Sequence, residues 1–519
     1  MSNYKSVAKT IFAVIIFTFF AKFLGFFRDI LVGSKLGTDM VSDAYLMALN
    51  STSIIFVSLG TALITGAIPI IVKQITNKDR QAAFDFTNKL LNIFILLSSI
   101  VTVVCILFAK PIMSILASGF KGEQLELTIQ LVKIMFPILI CISITYMFVS
   151  LLQALGRFKI TSIISFPANS IAILYLCFLS QKYGVKGLAV VTLIGWMLQF
   201  IIQIPYLYGE GYRYHFKIDF KDENVKNVFK IILPMIIVAA SVQLNILLDE
   251  KQASFLKQGT ISSLHYANMM YQAITSTTVL AIGMVMFPKF AEKSAKLGQK
   301  EYAKFVLRIV EIMIFILLPM MTGIILLRNE IIGLIFQRGA FGENATLTTG
   351  IALACYSTGM VGFGIQDLIN RAFYARNNIK FPVIYAILVV GINAILNIVL
   401  VKRFDIAGLA ISTACASLIG AFGLLHSFKK KMNYLDVSKL LRTFTKVGIS
   451  CTVMAMVVLF SQIVLKQYFF SMKIGYKLIA VLVPSFIGGS IYAFVTLKFK
   501  IDGAMLIYND FIKPRFMNK

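Results

Sequence analysis

Long apolar runs of about 18 to 25 residues, separated by short charged connections, dominate the chain. About fourteen can be read off, centred near residues 20, 58, 97, 140, 169, 197, 239, 278, 317, 359, 390, 417, 454 and 486. A helix rising about 1.5 Å per residue crosses roughly 30 Å of hydrocarbon in about 20 residues, so each run predicts one membrane-spanning helix. The runs do not alternate with period two, which excludes a membrane barrel. The fold class is therefore an all-α polytopic membrane protein of about 14 transmembrane helices. The first run, TIFAVIIFTFF (10–20), has no small-residue cleavage pattern behind it and reads as the first mature helix.

Internal similarity organises these spans. YGVKGLAVVT (183–192) lines up with FDIAGLAIST (404–413). GTDMVSDAYLMALNSTSIIFVSLG (37–60) lines up with GTISSLHYANMMYQAITSTTVLAIG (259–283), with one gap. Both pairs are offset by about 220 residues, which predicts two six-helix lobes in a parallel pseudo-repeat plus two C-terminal helices. The expected segments are an N-terminal lobe over 1–209, an amphipathic cytoplasmic linker over 210–224 (EGYRYHFKIDFKDEN), and a C-terminal lobe over 225–431. Two further spans over 432–498 and a cytoplasmic tail over 499–519 complete the chain.

Composition agrees: 58% of the 519 residues are hydrophobic and 14% charged, against about 25% charged in soluble domains. The net charge of +27 changes the picture only for topology. About 31 of the 50 basic residues fall in connections on the N-terminal side and about 13 on the other, which places both termini in the cytoplasm. There is no basic domain or aromatic-basic motif for a nucleic-acid partner. Cys105, Cys141, Cys177, Cys355, Cys415 and Cys451 stand singly in apolar runs, so neither a disulfide frame nor a metal site is expected. Three isolated histidines and the lack of GxSxG, HExxH or P-loop patterns argue against an enzyme, and no cofactor is implied.

The candidate chemistry lies in charges within the spans, since an ionised group at mid-bilayer costs about 2.5 to 3.5 kcal/mol unless it faces a partner or a watery cavity. In the first span Lys22 and Asp29 are seven residues apart and share a face with Gly25 between them, while Arg28 points about 100° round from Asp29. Gly25 allows a neighbouring helix to come close or the span to bend. Asp43 begins the second span. In the seventh, Asn245 and Asp249 stack at i and i+4, close to Gln243. Asp367 with Arg371 and Arg308 with Glu311 are spaced as salt bridges within single helices; Lys133 has no evident partner.

KFLGFFRDILVGSKLGTDMVSDAY (22–45), HYANMM (265–270), IFQRGAFGENAT (335–346) and INRAFYARNNIKFP (369–382) together resemble the MurJ (MviN-like) lipid II flippases of the multidrug/oligosaccharidyl-lipid/polysaccharide exporter superfamily. The resemblance runs over the whole chain. It implies an alternating-access carrier in the bacterial cytoplasmic (inner) membrane that moves the undecaprenyl-pyrophosphate-linked peptidoglycan precursor, lipid II, from inner to outer leaflet for cell-wall synthesis. On this resemblance Lys22 and Arg28 would receive the pyrophosphate. Asp29 and Asp43 would orient or gate, beside Gly25, Asn245 and Asp249 as candidates from the residue pattern itself, and a groove along the last two spans would hold the lipid tail. The partners implied are the lipid-linked glycan precursor, membrane lipids and the cell-wall synthesis machinery.

The chain departs from the family pattern at two places. NSTSIIF (50–56) stands where the family has a basic cluster, and Asn268 and Met269 stand where it has an arginine. That keeps open a flippase for another polyprenyl-pyrophosphate-linked saccharide, of capsule, teichoic acid or exopolysaccharide. A drug/ion antiporter of the same superfamily is disfavoured by cavity cations, which would repel cationic cargo. A coupling ion and the membrane potential both remain open as driving force.

Overall fold

In the computed structural model the backbone is described over residues 2–77, 79–434, 436–469 and 473–507. Side chains are described there apart from those of 2–12, 53–59, 61, 233–242, 244, 437, 468–469, 473–474 and 506–507. The described residues are helical, without strands. Nine helical segments among them are long and apolar enough to cross a membrane, and a tenth is a pair bent by 41°.

The chain separates into two compact units, residues 1–262 with 338–341, and 263–337 with 342–519. The first contains α1 (Ser2–Leu36), α2 (Met40–Asn77), α3 (Arg80–Leu107), α4 (Ala109–Leu116), α5 (Gly122–Met135), α6 (Ile138–Ala154), α7 (Phe158–Ser162), α8 (Ser165–Phe178), α9 (Ser180–Ile201), α10 (Ile204–Gly209) and α11 (Glu223–Ala253). α12 (Thr260–Lys296) starts in this unit and continues into the second. The second unit holds α13 (Gln299–Leu326), α14 (Arg328–Ile335), α15 (Glu343–Ser357), α16 (Met360–Tyr374), α17 (Lys380–Met432), α18 (Val437–Phe469), α19 (Lys473–Lys498) and α20 (Asp502–Ile507). α17, at 53 residues, is broken at Asp405 and makes two passes. α1, α2 and α11 run for 35, 38 and 31 residues, each more than a single pass needs.

The first unit reaches past the boundary expected from the repeat and takes in the seventh span. The reason is apolar packing. Val225, Val228 and Ile232 of α11 join one buried cluster with Ala67 and Ile71 of α2 and Phe84, Leu91 and Phe94 of α3. A repeat boundary records chain history, while a packing boundary records where apolar faces meet.

The pseudo-repeat is visible in the backbone itself. Gly37 and Gly259, matched in the sequence repeat, both have positive φ (+67° and +87°) just before α2 and α12. Gly184 (φ 57°, ψ −152°) and Asp405 (φ 47°, ψ −128°), matched in the second repeat, interrupt α9 and α17 with the same unusual conformation. Two sequence words thus fold into two equivalent pairs of chain reversals.

The 210–222 linker is not helical. It is strapped along α3 by amide side chains. Asn88 donates to the Arg213 carbonyl (3.0 Å) and accepts from Tyr212 (2.5 Å), and Asn92 donates to the carbonyls of His215 and Lys217 (3.1 and 3.2 Å). Lys89 is paired with Asp222 (2.5 Å) and Asp219 (3.4 Å). Burial alone would raise the Asp222 carboxyl, but the Lys89 ammonium and the Asn224 N–H hold it below its ordinary value. The Lys221 N–H, followed by Lys89, lowers Asp219. Tyr212 is buried against Phe84 and Phe148, whereas Phe216 and Phe220 are exposed. All six cysteines are unpaired.

Candidate functional site

α1 is continuous through Gly25, so the glycine serves packing rather than bending. Asn169 of α8 leans over it, with Nδ2 3.6 Å from where a Cβ would sit. The same amide accepts from Arg28 Nη1 (3.1 Å) and donates to the Ala21 carbonyl (3.4 Å). The Arg28 guanidinium also reaches Asp29 through Nε and Nη2 (3.0 and 2.7 Å). Neighbouring residues on a helix point about 100° apart, but the long arginine stem swings across that angle and closes an ion pair. Arg28 is thus a positioned cation with part of its charge offset. Lys22, two turns from Asp29, is exposed and makes no hydrogen bond or ion pair among the described residues.

Asp43 is buried and accepts three hydrogen bonds, from the N–H of Gly259 (2.7 Å), the N–H of Ser262 (2.8 Å) and the Ser262 hydroxyl (2.8 Å). It satisfies donors at the first turn of α12, and a carboxylate there is also favoured by the helix dipole. The turn is crowded. A Cβ on Gly259 would lie 2.3 Å from the Thr38 carbonyl oxygen, and one on Gly339 would lie 2.3 Å from the Ser34 carbonyl oxygen. The Ala340 N–H donates to that Ser34 carbonyl at 2.8 Å. Two stretches singled out in the sequence, SKLGTDMVSDAY and QRGAF, are therefore brought together around Asp43.

On α11, Asn245 and Asp249 are half-buried, and Asn245 Oδ1 is buried without a hydrogen-bond partner. The deeper acid is their neighbour Glu250, which is buried and accepts from Asn50 of α2. Asn50, the first residue of the NSTSIIF stretch, is thus tied to an acid. Glu250 and Asn169 escaped the sequence reading. Glu250 was screened by Asp249 beside it, and Asn169 offered only the weak signal of a polar residue two positions after Pro167.

In the second unit, Asp367 and Arg371 of α16 form a two-point ion pair (2.6 and 3.2 Å), as their spacing predicted. The guanidinium lies flat against Gly283 of α12, where a Cβ would be 2.6 Å from Nε. Glu311, spaced for Arg308, pairs instead with Lys439 of α18 (3.2 Å), because the packing of α13 on α18 supplies a closer cation. Lys133 lies exposed in the last turn of α5, where the helix dipole favours a cation. An apolar cavity of about 380 Å³ opens among α12, α13, α18 and α19, lined by Pro319, Gly323, Met454, Val458, Gly488 and Gly489 among others. Tyr492 closes one side with its hydroxyl donating to the Phe315 carbonyl (2.7 Å), so the lining is left apolar. No cluster of histidine, cysteine or acidic side chains suited to a metal occurs among the described residues.

The family model described as "Lipid II flippase MurJ" matches residues 32–478. The chain belongs to the lipid II flippase MurJ family. A probable lipid II flippase MurJ of Buchnera aphidicola subsp. Baizongia pistaciae is 25% identical over 461 residues, covering 86% of this chain and 88% of the relative. One of Vibrio cholerae is 24% identical over 427 residues, covering 80% and 81%. The solved structure "Lipid II flippase MurJ, inward closed conformation" superposes with a TM-score of 0.76 at 25% identity, over 91% of this chain and 98% of that one. An inward-facing multidrug resistance MATE family transporter superposes at 0.63 and 17% identity, covering 82% and 96%, and shares the fold alone. Membership of the MurJ family makes this a multi-pass membrane transporter of the flippase class.

Proposed function

We propose that this chain carries lipid II from the inner to the outer leaflet of the bacterial cytoplasmic membrane, with both termini cytoplasmic and Lys22 and Arg28 receiving the pyrophosphate. The observation that carries the reading is the arrangement on α1. Arg28 is held in place by Asp29 and Asn169, and Lys22 stands exposed without a hydrogen bond or ion pair among the described residues, so a fixed and an exposed cation share a helix. A pyrophosphate brings about two negative charges that must leave water, and charge-assisted donors offset that loss. Asp29 orients Arg28. Asp43 holds the first turns of α2 and α12 and gates the outer side, and Asn245 and Asp249 give α11 its polar face. The apolar cavity beside α18 and α19 suits the polyprenyl tail.

A second reading keeps the mechanism and changes the cargo to another polyprenyl-pyrophosphate-linked saccharide. It is favoured by NSTSIIF (50–56), which stands where the family pattern has a basic cluster, and by Asn268 and Met269, which stand where it has an arginine.

Complementation of a strain depleted of its lipid II flippase tests both. Rescue by the wild-type gene, loss with Lys22→Ala at normal expression, and loss with Arg28→Ala support the leading cargo and site. Failure of the wild-type gene despite membrane expression moves the cargo to the second reading. Full rescue by both alanine variants removes the proposed site.

A further inference from the structure

At the ends of two adjacent spans, Phe158–Phe178 and Ser180–Gly209, the chain encloses a cavity of about 520 Å³ lined by Arg157, Phe158, Lys159, Pro205, Tyr206 and Glu210 among others. Its lining includes none of the α1 residues. That lining carries two cations, Arg157 and Lys159, and one carboxylate, Glu210, which Arg80 also reaches. Glu210 is nearly buried and already spoken for, with Arg157 Nε at 2.5 Å and Arg80 Nη1 at 3.4 Å. That pairing uses one edge of the Arg157 fork and leaves both Nη groups without a partner among the described residues; the Lys159 ammonium has none either. A fixed guanidinium edge beside a mobile ammonium is the donor set that binds phosphate oxygens.

The rim is aromatic. Phe158, Tyr206 and Tyr208 are exposed, and Arg213 stacks over Tyr208 at 5.0 Å. Exposed aromatics with basic residues at the end of a span mark the headgroup level of a bilayer, and the connections on this side are the lysine- and arginine-rich ones. The wall is also permissive: Gly156 and Gly209 have nothing within 4 Å of where a Cβ would sit.

We propose that this cavity binds the phosphate headgroup of an anionic phospholipid of the surrounding leaflet, with Arg157 and Lys159 as the phosphate donors and Phe158 and Tyr206 resting at the glycerol and upper acyl level. Glu210 positions Arg157 and keeps the empty site from being a bare cluster of cations.

Native mass spectrometry of the full-length protein in detergent, titrated with phosphatidylglycerol, phosphatidylcholine or inorganic phosphate, tests this. The wild type should retain phosphatidylglycerol over phosphatidylcholine. Lys159→Gln should lower that retention about five-fold, and Arg157→Gln with Lys159→Gln about twenty-five-fold. Lys289→Gln with Lys296→Gln, removing two exposed lysines elsewhere, should leave it unchanged. Lys159 is in no ion pair, so its single variant reads binding even if the Arg157 change disturbs the fold. Retention of phosphatidylglycerol unchanged in the Lys159 variant, equal retention of the two lipids by the wild type, or displacement of phosphatidylglycerol by inorganic phosphate at comparable concentration would each overturn the assignment.

Discussion

Replacing Gly259 by alanine separates a backbone effect from a contact effect at the Asp43 turn. Gly259 has φ +87°, a conformation that costs an L-residue about 1 to 2 kcal/mol. In addition, the new Cβ would stand 2.3 Å from the Thr38 carbonyl oxygen, where real contacts stay above 3.0 Å, and the obstacle is backbone rather than a flexible side chain. Relieving it moves the turn by roughly 0.7 Å, and the same shift applied to the 2.7 Å bond from the Gly259 N–H to Asp43 stretches it to roughly 3.4 Å, past the ordinary range. Losing a hydrogen bond to a buried charged group costs about 1.5 to 3 kcal/mol, so the variant should lose about 2.5 to 5 kcal/mol. Gly122→Ala is the control. It also has positive φ (+54°), but nothing lies within 4 Å of its Cβ, so only the backbone cost of about 1 to 2 kcal/mol applies. Denaturant titrations of both purified variants measure the difference, expected at about 1.5 to 3 kcal/mol. In an Asp43→Ala background most of that excess should vanish, since the bond it strains is already gone. Equal losses for Gly259→Ala and Gly122→Ala would refute the account of Asp43 as the anchor of this turn.

Three further outcomes follow from particular residues. Asp405→Gly should stabilise the protein by about 1 to 3 kcal/mol in the same titration, because φ 47° with ψ −128° is a conformation only glycine adopts without strain; its counterpart Gly184→Asp should cost a similar amount, and no change in either would contradict the strain. Gly489→Leu fills part of the apolar cavity at a position with nothing within 4 Å of its Cβ, so transport of the lipid-linked precursor should fall while thermal stability holds, and wild-type transport would remove the cavity from the tail's path. The linker strap carries a pH signature: Asp219 and Asp222 have folded values below the ordinary 3.8, so their contribution is complete above that pH and is lost only as pH falls through the lowered values. A spin label at Phe216 should therefore stay immobile at neutral pH and loosen below about pH 3.8, with Lys89→Gln moving the loosening upward; loosening at pH 5 to 6 in the wild type would contradict this reading.

Much of the architecture was legible because membrane spans obey a local rule. Hydrocarbon demands apolar side chains and internally satisfied backbone over a fixed thickness, so run length and charge placement alone gave the helices. The repeat was legible as well, and it even marked the reversals at Gly37 and Gly259 and at Gly184 and Asp405. The 210–224 segment was less so: its aromatic and basic composition marked it as special, but only the amides of Asn88 and Asn92 on α3 decided that it would be an extended strap.

Within the candidate site, the chemistry-bearing residues of α1 were visible as charges out of place, since such residues are rare at mid-bilayer. What they do to one another was not. Helical spacing set Arg28 and Asp29 apart, whereas the arginine stem and Asn169, 141 residues away, drew them into one cluster. Asp43 looked like a lone acid until the Gly259–Ser262 turn came within hydrogen-bond distance, and Glu311 looked bound for Arg308 until α18 brought Lys439. By itself the sequence determined the helical membrane class, the repeat of the helices and which side chains carry charge, because those depend on each residue's transfer between water and hydrocarbon. Which of these distant groups meet, and which helix joins which unit, were decided only by the tertiary structure, because they depend on residues more than a hundred positions apart meeting within about 3 Å.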